Sequence, residues 1–522
     1  MSTGVAGRSE RHSSKGGGPA NYKWLIVALT VACVVIAAVS FAVIHWWPFT
    51  QSAVLQDLRE AGDGQVSARS FRETHFPFPG CVLEGVVFRH GNAELITIER
   101  LTIRGTYTGI LAQHVSKITA EGLHVTIPPF GSAQAFHTHR SKIVVDEIVA
   151  NNSILEFTRE DRQAKPVRFD IHEASLKDVG WKGALTYKIR VHNPQPPGEI
   201  AADGKFGVWN ESDPGGTPVS GHYKFEHADL GVFEGISGEL SSTGQFEGKL
   251  SHMDISGETE IPNFEVEQGG HPLELKTKFT AYVDGTNGDT FLKRVDANFS
   301  KTHIIAEGRI AGSKGGKGKT ATIEFKSSKA RIEDLLRLFV KAERPPMSGS
   351  VVLQAHIVLP PGNERFLKKV KLRGGFGISG GEFSEKTQQG VDKLSAGARG
   401  ESEKEKNDPE TVVSDLKGQV DLVGGTAKFS GLTFSIPGAA SRMTGSYNLI
   451  SHKIDLRGQL QVDSKISNTT NGGKAFLLKM MEPFFKKKRK GEVVPVKIFG
   501  TYEHPQFGLD LNDEKAEHVR AP

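Results

Sequence analysis

Three stretches of this chain carry spacings that can do chemistry, and each is undone by what surrounds it. Gly375, Gly377 and Gly380 stand in the G-x-G-x-x-G spacing that seats a pyrophosphate on a helix N-terminus. Gly377, Ser379 and Gly381 stand in the G-x-S-x-G spacing of a nucleophile elbow. Both devices need a helix directly after the glycines. Glu382-Phe383-Ser384-Glu385 follows instead, with no apolar helical stripe, so a glycine-rich strand with a bulge is expected. Gly315-Gly-Lys-Gly318-Lys319-Thr320 is similar to the end of a phosphate loop, but Ser313 stands where the first glycine belongs. Ala321-Thr-Ile-Glu-Phe325 then reads as a strand, which makes the basic stretch a hairpin tip. His137 and His139 could share one strand face as metal ligands, yet no acidic or cysteine partner stands at a ligand spacing. Cys33 and Cys81 offer neither a disulfide framework nor a thiolate zinc site. The expectation is therefore a protein that is not an enzyme, with no catalytic residue, metal or cofactor.

One charged feature stands out. Lys486, Lys487, Lys488, Arg489 and Lys490 follow an apolar segment, Lys474–Phe485, that carries Phe476, Leu477, Met480, Met481, Phe484 and Phe485. Cations at a helix C-terminus complement the helix dipole and aid solubility. The same arrangement also suits an interfacial element whose cations meet anionic headgroups, at about 1 kcal/mol each. Phe476, Phe484 and Phe485 with the five cations are the candidate membrane contacts.

The elements that must position these residues are strands. Leu273, Leu275, Thr277, Phe279, Ala281 and Val283 alternate with polar residues, and Ile454, Leu456, Gly458, Leu460 and Val462 do the same. Successive strand side chains point to opposite faces, so each segment has one apolar face and one wet face. Asp284-Gly285-Thr286-Asn287-Gly288, Gly424-Gly425 and Pro360-Pro361-Gly362-Asn363 separate such segments, a spacing that suits antiparallel sheet. Ile332, Leu335, Leu336, Phe339 and Val340 predict one amphipathic helix, with a short one over Val391–Ala398. Residues 192–218 and 396–411 read as surface loops. A sheet this long must hide its apolar face, either against a second sheet or by curling into a greasy trough. Alternation alone leaves both open.

The 522 residues include 65 Lys+Arg against 60 Asp+Glu, a balance that argues against a nucleic-acid partner. Glycine, at 59, is enriched, which points to many turns. From Trp24 to Trp47 no Asp, Glu, Lys or Arg occurs, and 24 helical residues span about 36 Å, enough to cross a bilayer. The run ends in Ile-His-Trp-Trp-Pro-Phe rather than small residues, so an uncleaved anchor is expected rather than a signal peptide. Arg8, Arg11, Lys15 and Lys23 precede it and no cation follows until Arg59, which places residues 1–23 in the cytoplasm and the body on the far side.

Both ends of the chain resemble the AsmA family. Near the N-terminus the resemblance lies in the anchor, Phe76-Pro-Phe-Pro79, Ile96–Ile103, Tyr107–Leu111 and Ile118–Val125. Near the C-terminus it lies in Val391–Ala398, Val413–Gly418, Phe429–Gly438, Met443–Tyr447, Val494–Thr501 and His504-Pro505. The resemblance covers about half the chain and includes no catalytic signature. It implies a mainly β fold: a single N-terminal transmembrane helix, then a long curled antiparallel β-sheet groove, β-taco-like, with a few short amphipathic helices. The divisions expected are a tail over 1–23, an anchor over 24–47, an N-terminal β region over 48–180, a central meander over 181–360 and a C-terminal β region over 361–522. The resemblance further implies a Gram-negative inner-membrane protein with a periplasmic body, carrying phospholipid toward the outer membrane. An outer-membrane or envelope protein would be its partner at the distal end. Leu273, Leu275, Phe279, Val283, Ile454, Leu456, Leu460 and Val462 are the candidate groove lining. A lipid-free scaffold for outer-membrane protein assembly is the alternative.

Overall fold

The computed structural model describes residues 34, 47–62, 64–91, 93–111, 114–127, 143–158, 166–180, 183–208, 213–233, 235–266, 270–312, 318–340, 345, 347–383, 414–436, 439–462, 493–501 and 504–510. It is mainly β, a curled half-barrel sheet with few helices. The first strands are β1 (Gln65–Ser67), β2 (Ser70–Thr74), β3 (Gly80–His90), β4 (Ala93–Gly105), β5 (His114–Ile127), β6 (Val144–Phe157) and β7 (Val167–Val179). Then come β8 (Leu185–Pro194), β9 (Pro197–Phe206), β10 (Pro218–Asp229), β11 (Ile236–Ser237), β12 (Glu239–Lys249), β13 (His252–Val266) and β14 (Leu273–Asp284). The sheet continues through β15 (Asp289–Phe299), β16 (Thr302–Gly312), β17 (Lys319–Arg331), β18 (Met347–Leu359), β19 (Lys371–Phe383) and β20 (Ser414–Val423). It closes with β21 (Thr426–Ile436), β22 (Ala439–Asn448), β23 (Lys453–Val462), β24 (Val493–Thr501) and β25 (Pro505–Leu509).

All 25 strands belong to one sheet. β1 and β2 share one flank of β3, and β11 shares a flank of β13 with β12. Otherwise each strand pairs with its neighbours in sequence, and the ladder crosses residues 180 and 360 without a break. At ~4.8 Å per step the sheet is on the order of 105 Å long before twist, shorter than a meander of about 30 strands would give. β5 and β6 pair parallel, with His114 opposite Val144 and Ile127 opposite Phe157. Every other described pair is antiparallel, and many are joined by short turns. The Asp284 carboxylate accepts from the Thr286 amide at 2.9 Å and from Asn287 Nδ2 at 2.9 Å, which ties the β14–β15 turn. Gly424 and Gly425 have φ of 59° and 76°, as the two-residue β20–β21 hairpin requires.

Four helices sit against the sheet: α1 (Gln51–Gly62), α2 (Tyr107–Leu111), α3 (Ile332–Phe339) and α4 (Phe366–Lys369). The helix expected over Ile332–Val340 is thus present, ending at Phe339. Helices expected over Val391–Ala398 and Lys474–Phe485 lie outside the described residues. So does the 24–47 run apart from Val34 and Trp47. Among the described residues no helix is long and apolar enough to cross a membrane.

Residues 192–218 are a correction. They hold the end of β8, a tight turn and all of β9, rather than a loop. Ile200, Ala202, Gly204 and Phe206 alternate inside β9, and two small members of that set hid the alternation.

A crease crosses the sheet. Gly85, Gly122 and Asn152 have φ of 60°, 63° and 48°, and each interrupts its ladder at the same level of β3, β5 and β6. These breaks keep the register but shift the inward set by one residue. In β4 Ile96 and Ile98 give way to Leu101 and Ile103, and in β5 Ile118 and Ala120 give way to Leu123 and Val125. Because the breaks cross neighbouring strands at one level, the apolar face stays continuous through them.

The apolar face lies inside the curl. Phe264 and Val266, on the apolar face of β13, join one packed cluster with Leu367 of α4, Leu422 of β20 and Ala427 of β21. β13 and β20 are seven steps apart, and about 20–25° of twist per step accumulates to roughly 150°, which brings one rim of the sheet across to the other. Phe339, at the end of α3, and Phe366 pack into that cluster. The amide of His271 donates to the Arg337 carbonyl at 2.8 Å, fixing the crossing.

Candidate functional site: the apolar inner face

The inner face is built from alternate residues of every strand. Ala174, Leu176, Tyr187, Ile189, Ala202, Phe206, Tyr223 and Phe246 carry it through β7–β12. β14 presents Leu273, Leu275, Phe279 and Val283 on the same face, with Leu273 buried at 8% exposure and the other three half-buried. In β23, Ile454 and Leu456 are half-buried and Leu460 is fully buried at 1% exposure. Val462 stands opposite Ala439 at the end of that strand. Seven of the lining residues read from the sequence thus share the apolar face of the ladder, in two groups with eight strands between them. Phe476, Phe484, Phe485, Lys486, Lys487, Lys488, Arg489 and Lys490 lie outside the described residues.

Glycine and aromatic residues share this surface in a way that alternation did not reveal. A Cβ on Gly221 would stand 2.6 Å from the Tyr187 hydroxyl and 3.1 Å from the Phe246 ring. One on Gly257 would stand 2.8 Å from the Tyr223 hydroxyl and 3.1 Å from the Phe279 ring. Rings thus lie flat over glycine gaps, leaving a shallow greasy floor where the sheet curves inward. These glycines are strand residues, so the glycine enrichment serves strand interiors as well as turns. Burial pushes the Tyr187 phenol up to about 12, with Asp203 adding to it, and its hydroxyl donates to the Ser220 carbonyl at 3.3 Å. Burial also raises the Tyr223 phenol, against a 3.1 Å hydrogen bond with Ser242. Both tyrosines remain neutral, so the floor carries no charge at physiological pH.

The trough is filled at two places. Trp47, Phe49 and Val54 pack with Leu83, Val86, Ile98 and Leu101, so α1 plugs the stretch over β1–β6. Thr50 starts that helix, its hydroxyl accepting from the Ala53 amide at 3.4 Å. Thr50 with Val54, Leu55 and Leu58 was the available signal for this plug, passed over beside the stronger anchor pattern. The second filling is α3. Its Ile332, Leu335 and Leu336 pack on Val351, Leu353 and Ile378, while Phe339 reaches the β13–β20 cluster. Asp334 holds the helix down, accepting from the Lys301 amide and the Thr302 hydroxyl at 2.9 Å each. Burial works to raise Glu333, but backbone amides, including that of Gly349 at 3.0 Å, together with Arg331 hold it below the usual range. Between the fillings, over β7–β10, most inner apolar side chains are half-buried.

The outer face is charged and does different work. Lys278 pairs with Glu258 at 3.0 Å, Lys276 with Glu260 at 3.2 Å and Lys117 with Glu147 at 2.8 Å. Exposed pairs of this kind add little stability but keep the face wet. A depression across β5–β15 is lined both by charged residues such as Lys177, Lys188, Asp203 and Glu247 and by Tyr187, Phe246, Ile255 and Ala281.

None of the chemistry-bearing spacings forms a site among the described residues. Ser379 lies within β19 opposite Ser350, and the glycines around it form a strand with a bulge at Gly380. Lys319 closes the β16–β17 pair, and its ammonium donates to the Asn287 carbonyl at 2.8 Å and pairs with Asp289 at 3.1 Å. His137 and His139 lie outside the described residues. No cluster of three metal-ligating side chains occurs among those described. Neither a family model, nor a curated protein, nor a solved structure matches the chain.

Proposed function

We propose that this chain is an AsmA-like inner-membrane protein whose periplasmic body carries phospholipid along the apolar trough toward the outer membrane. The observation that supports the reading is the half-buried apolar face over β7–β10, continuous through the ladder with the β14 and β23 linings. Each methylene removed from water contributes ~0.8 kcal/mol, so acyl chains need a continuous greasy track and no specific pocket. Headgroups would stay at the open side, and the charged outer wall would keep the body soluble. Residues 24–47 would anchor it, and the segment from Phe476 to Lys490 would meet lipid at its far end.

A photo-crosslinker in the full chain tests this. Placed at Phe169 on the inner face, it should capture phospholipid, and at Lys278 on the outer face it should not. Equal capture at both positions, or none at Phe169, overturns the reading. The two filled stretches support a second reading, a non-enzymatic scaffold for outer-membrane protein assembly, and absence of lipid at Phe169 would favour it.

A further inference from the structure

The turn between β2 and β3 exposes its two largest apolar side chains. Phe76 is 88% exposed and Phe78 is 57% exposed, and Phe76 is the most exposed large apolar residue among those described. The turn is nonetheless firmly held. Pro79 is buried, its carbonyl accepts from the Gly105 amide at 2.7 Å, and a Cβ on Gly80 would meet the Ile103 carbonyl at 2.0 Å. The Tyr107 hydroxyl donates to the His75 carbonyl, bracing the turn from α2. Two rigidly presented phenylalanines on a wet surface waste apolar area unless something covers them.

What covers them is indicated by the neighbouring chain. Trp47 stacks on the His75 ring at 4.6 Å between centroids and 13° between planes, and His75 adjoins Phe76. Trp47 is also the last residue of the apolar stretch 24–47. The exposed turn therefore stands beside the point where that run enters the folded body. Exposed Tyr107 adds an amphipathic ring, and exposed Arg104, opposite Gly80 in the ladder, adds a cation. Aromatic rings beside a cation are the side-chain set of a membrane interface.

We propose that Phe76 and Phe78, with Tyr107, form a wedge that inserts into the lipid surface beside the chain's own apolar run. A single span leaves a body free to swivel, and a second, rigid contact fixes the height and tilt of the trough on the bilayer. The proposal rests on the anchor in the reading above, and its test is independent of lipid in the trough.

The test uses the full chain with Cys33→Ala and Phe76→Cys, labelled with an environment-sensitive fluorophore. Cys81 is fully buried, and burial followed by Glu73 pushes its thiol up to about 12, so it stays unlabelled in the folded protein. The protein is reconstituted in phosphatidylethanolamine–phosphatidylglycerol vesicles with and without a nitroxide-labelled lipid. The expected result is blue-shifted emission at position 76 and quenching severalfold stronger than for the same label at Glu258→Cys on the outer wall. Quenching at position 76 no stronger than at position 258 overturns the wedge. Should Cys81 become reactive in the Phe76→Cys variant, indicating unfolding, the same comparison at Phe78→Cys decides. Quenching at the turn without crosslinked lipid at Phe169 sinks the transport reading alone, and the reverse sinks the wedge alone.

Discussion

Leu456 offers the sharpest test of the trough. It is half-buried on the inner face of β23, opposite Gly445 of β22 and Ile498 of β24. With glycine on one side, Leu456 and Ile498 carry the apolar surface between Phe429 and Phe507 in that row. Leu456→Glu replaces that surface with a carboxylate that an acyl chain can cover only by stripping its water. Loss of contact with about three methylenes, at ~0.8 kcal/mol each, removes roughly 2.4 kcal/mol and lowers local occupancy about 50-fold. Dehydrating the carboxylate adds to that penalty, so the figure is a lower bound. The assay is photo-crosslinking at Ile498, beyond the substitution, and at Phe169, before it, with lipid supplied at the anchored end. Capture at Ile498 should fall about 50-fold or more while capture at Phe169 persists. Gln459→Glu places the same charge on the exposed outer face of the same strand and should change neither. A folded Leu456→Glu protein that still loads lipid at Ile498 refutes the argument. Leu275→Glu in β14 is expected to behave in the same way.

Other consequences are equally direct. Asp334→Ala strands the Lys301 amide and the Thr302 hydroxyl and should destabilise the α3 crossing by about 2–3 kcal/mol, read as faster hydrogen exchange in α3 than in β3–β5. A Cβ at Gly204 would lie 2.0 Å from the Ser220 carbonyl, so Gly204→Val should part β9 from β10 at a cost of about 3 kcal/mol, visible as lost amide protection there. Cys81 remains a neutral thiol to about 12 in the folded protein, whereas unfolded it ionises near its ordinary value of 9. Between those values the unfolded state binds fewer protons, so stability should fall by about 1.4 kcal/mol per pH unit, with the full benefit present below pH 9. Denaturant titrations at alkaline pH should show that slope in the native sequence and a shallower one in Cys81→Ala.

How much of this was legible depends on where alternation is clean. In β14 every second residue from Leu273 to Val283 is apolar or Thr, and its inner face was read correctly from composition and order alone. In β9 the inner set includes Ala202 and Gly204, whose small size removes the contrast, and the strand was mistaken for a loop. Across β3–β6 the positive-φ breaks at Gly85, Gly122 and Asn152 switch the inward residues from one parity to the other. A fixed period loses the face there, although the structure keeps it. The parallel β5–β6 pair was invisible for a different reason: alternation is the same whichever way a neighbour runs. The curl itself depends on contacts such as Val266 with Leu422, which are 156 residues apart and leave no local mark.

The near-unbroken pairing of each strand with its sequence neighbours has a consequence for how this molecule comes into being. Such a ladder is nearly one-dimensional: stability is approximately a sum of adjacent interfaces, and most strands pair with a neighbour in sequence. Strands can therefore be added one after another as the chain emerges from its N-terminal end, each docking on an edge that already exists. Unfolding should likewise fray from an end rather than occur all at once, so a single melting temperature is not a property of the whole. The β13–β20 crossing is the exception, a clasp that binds distant turns of the ladder into one cooperative block. Lengthening or shortening the sheet by a hairpin outside that clasp changes its reach while leaving every other interface as it was, which makes length a trait that can vary independently of the fold.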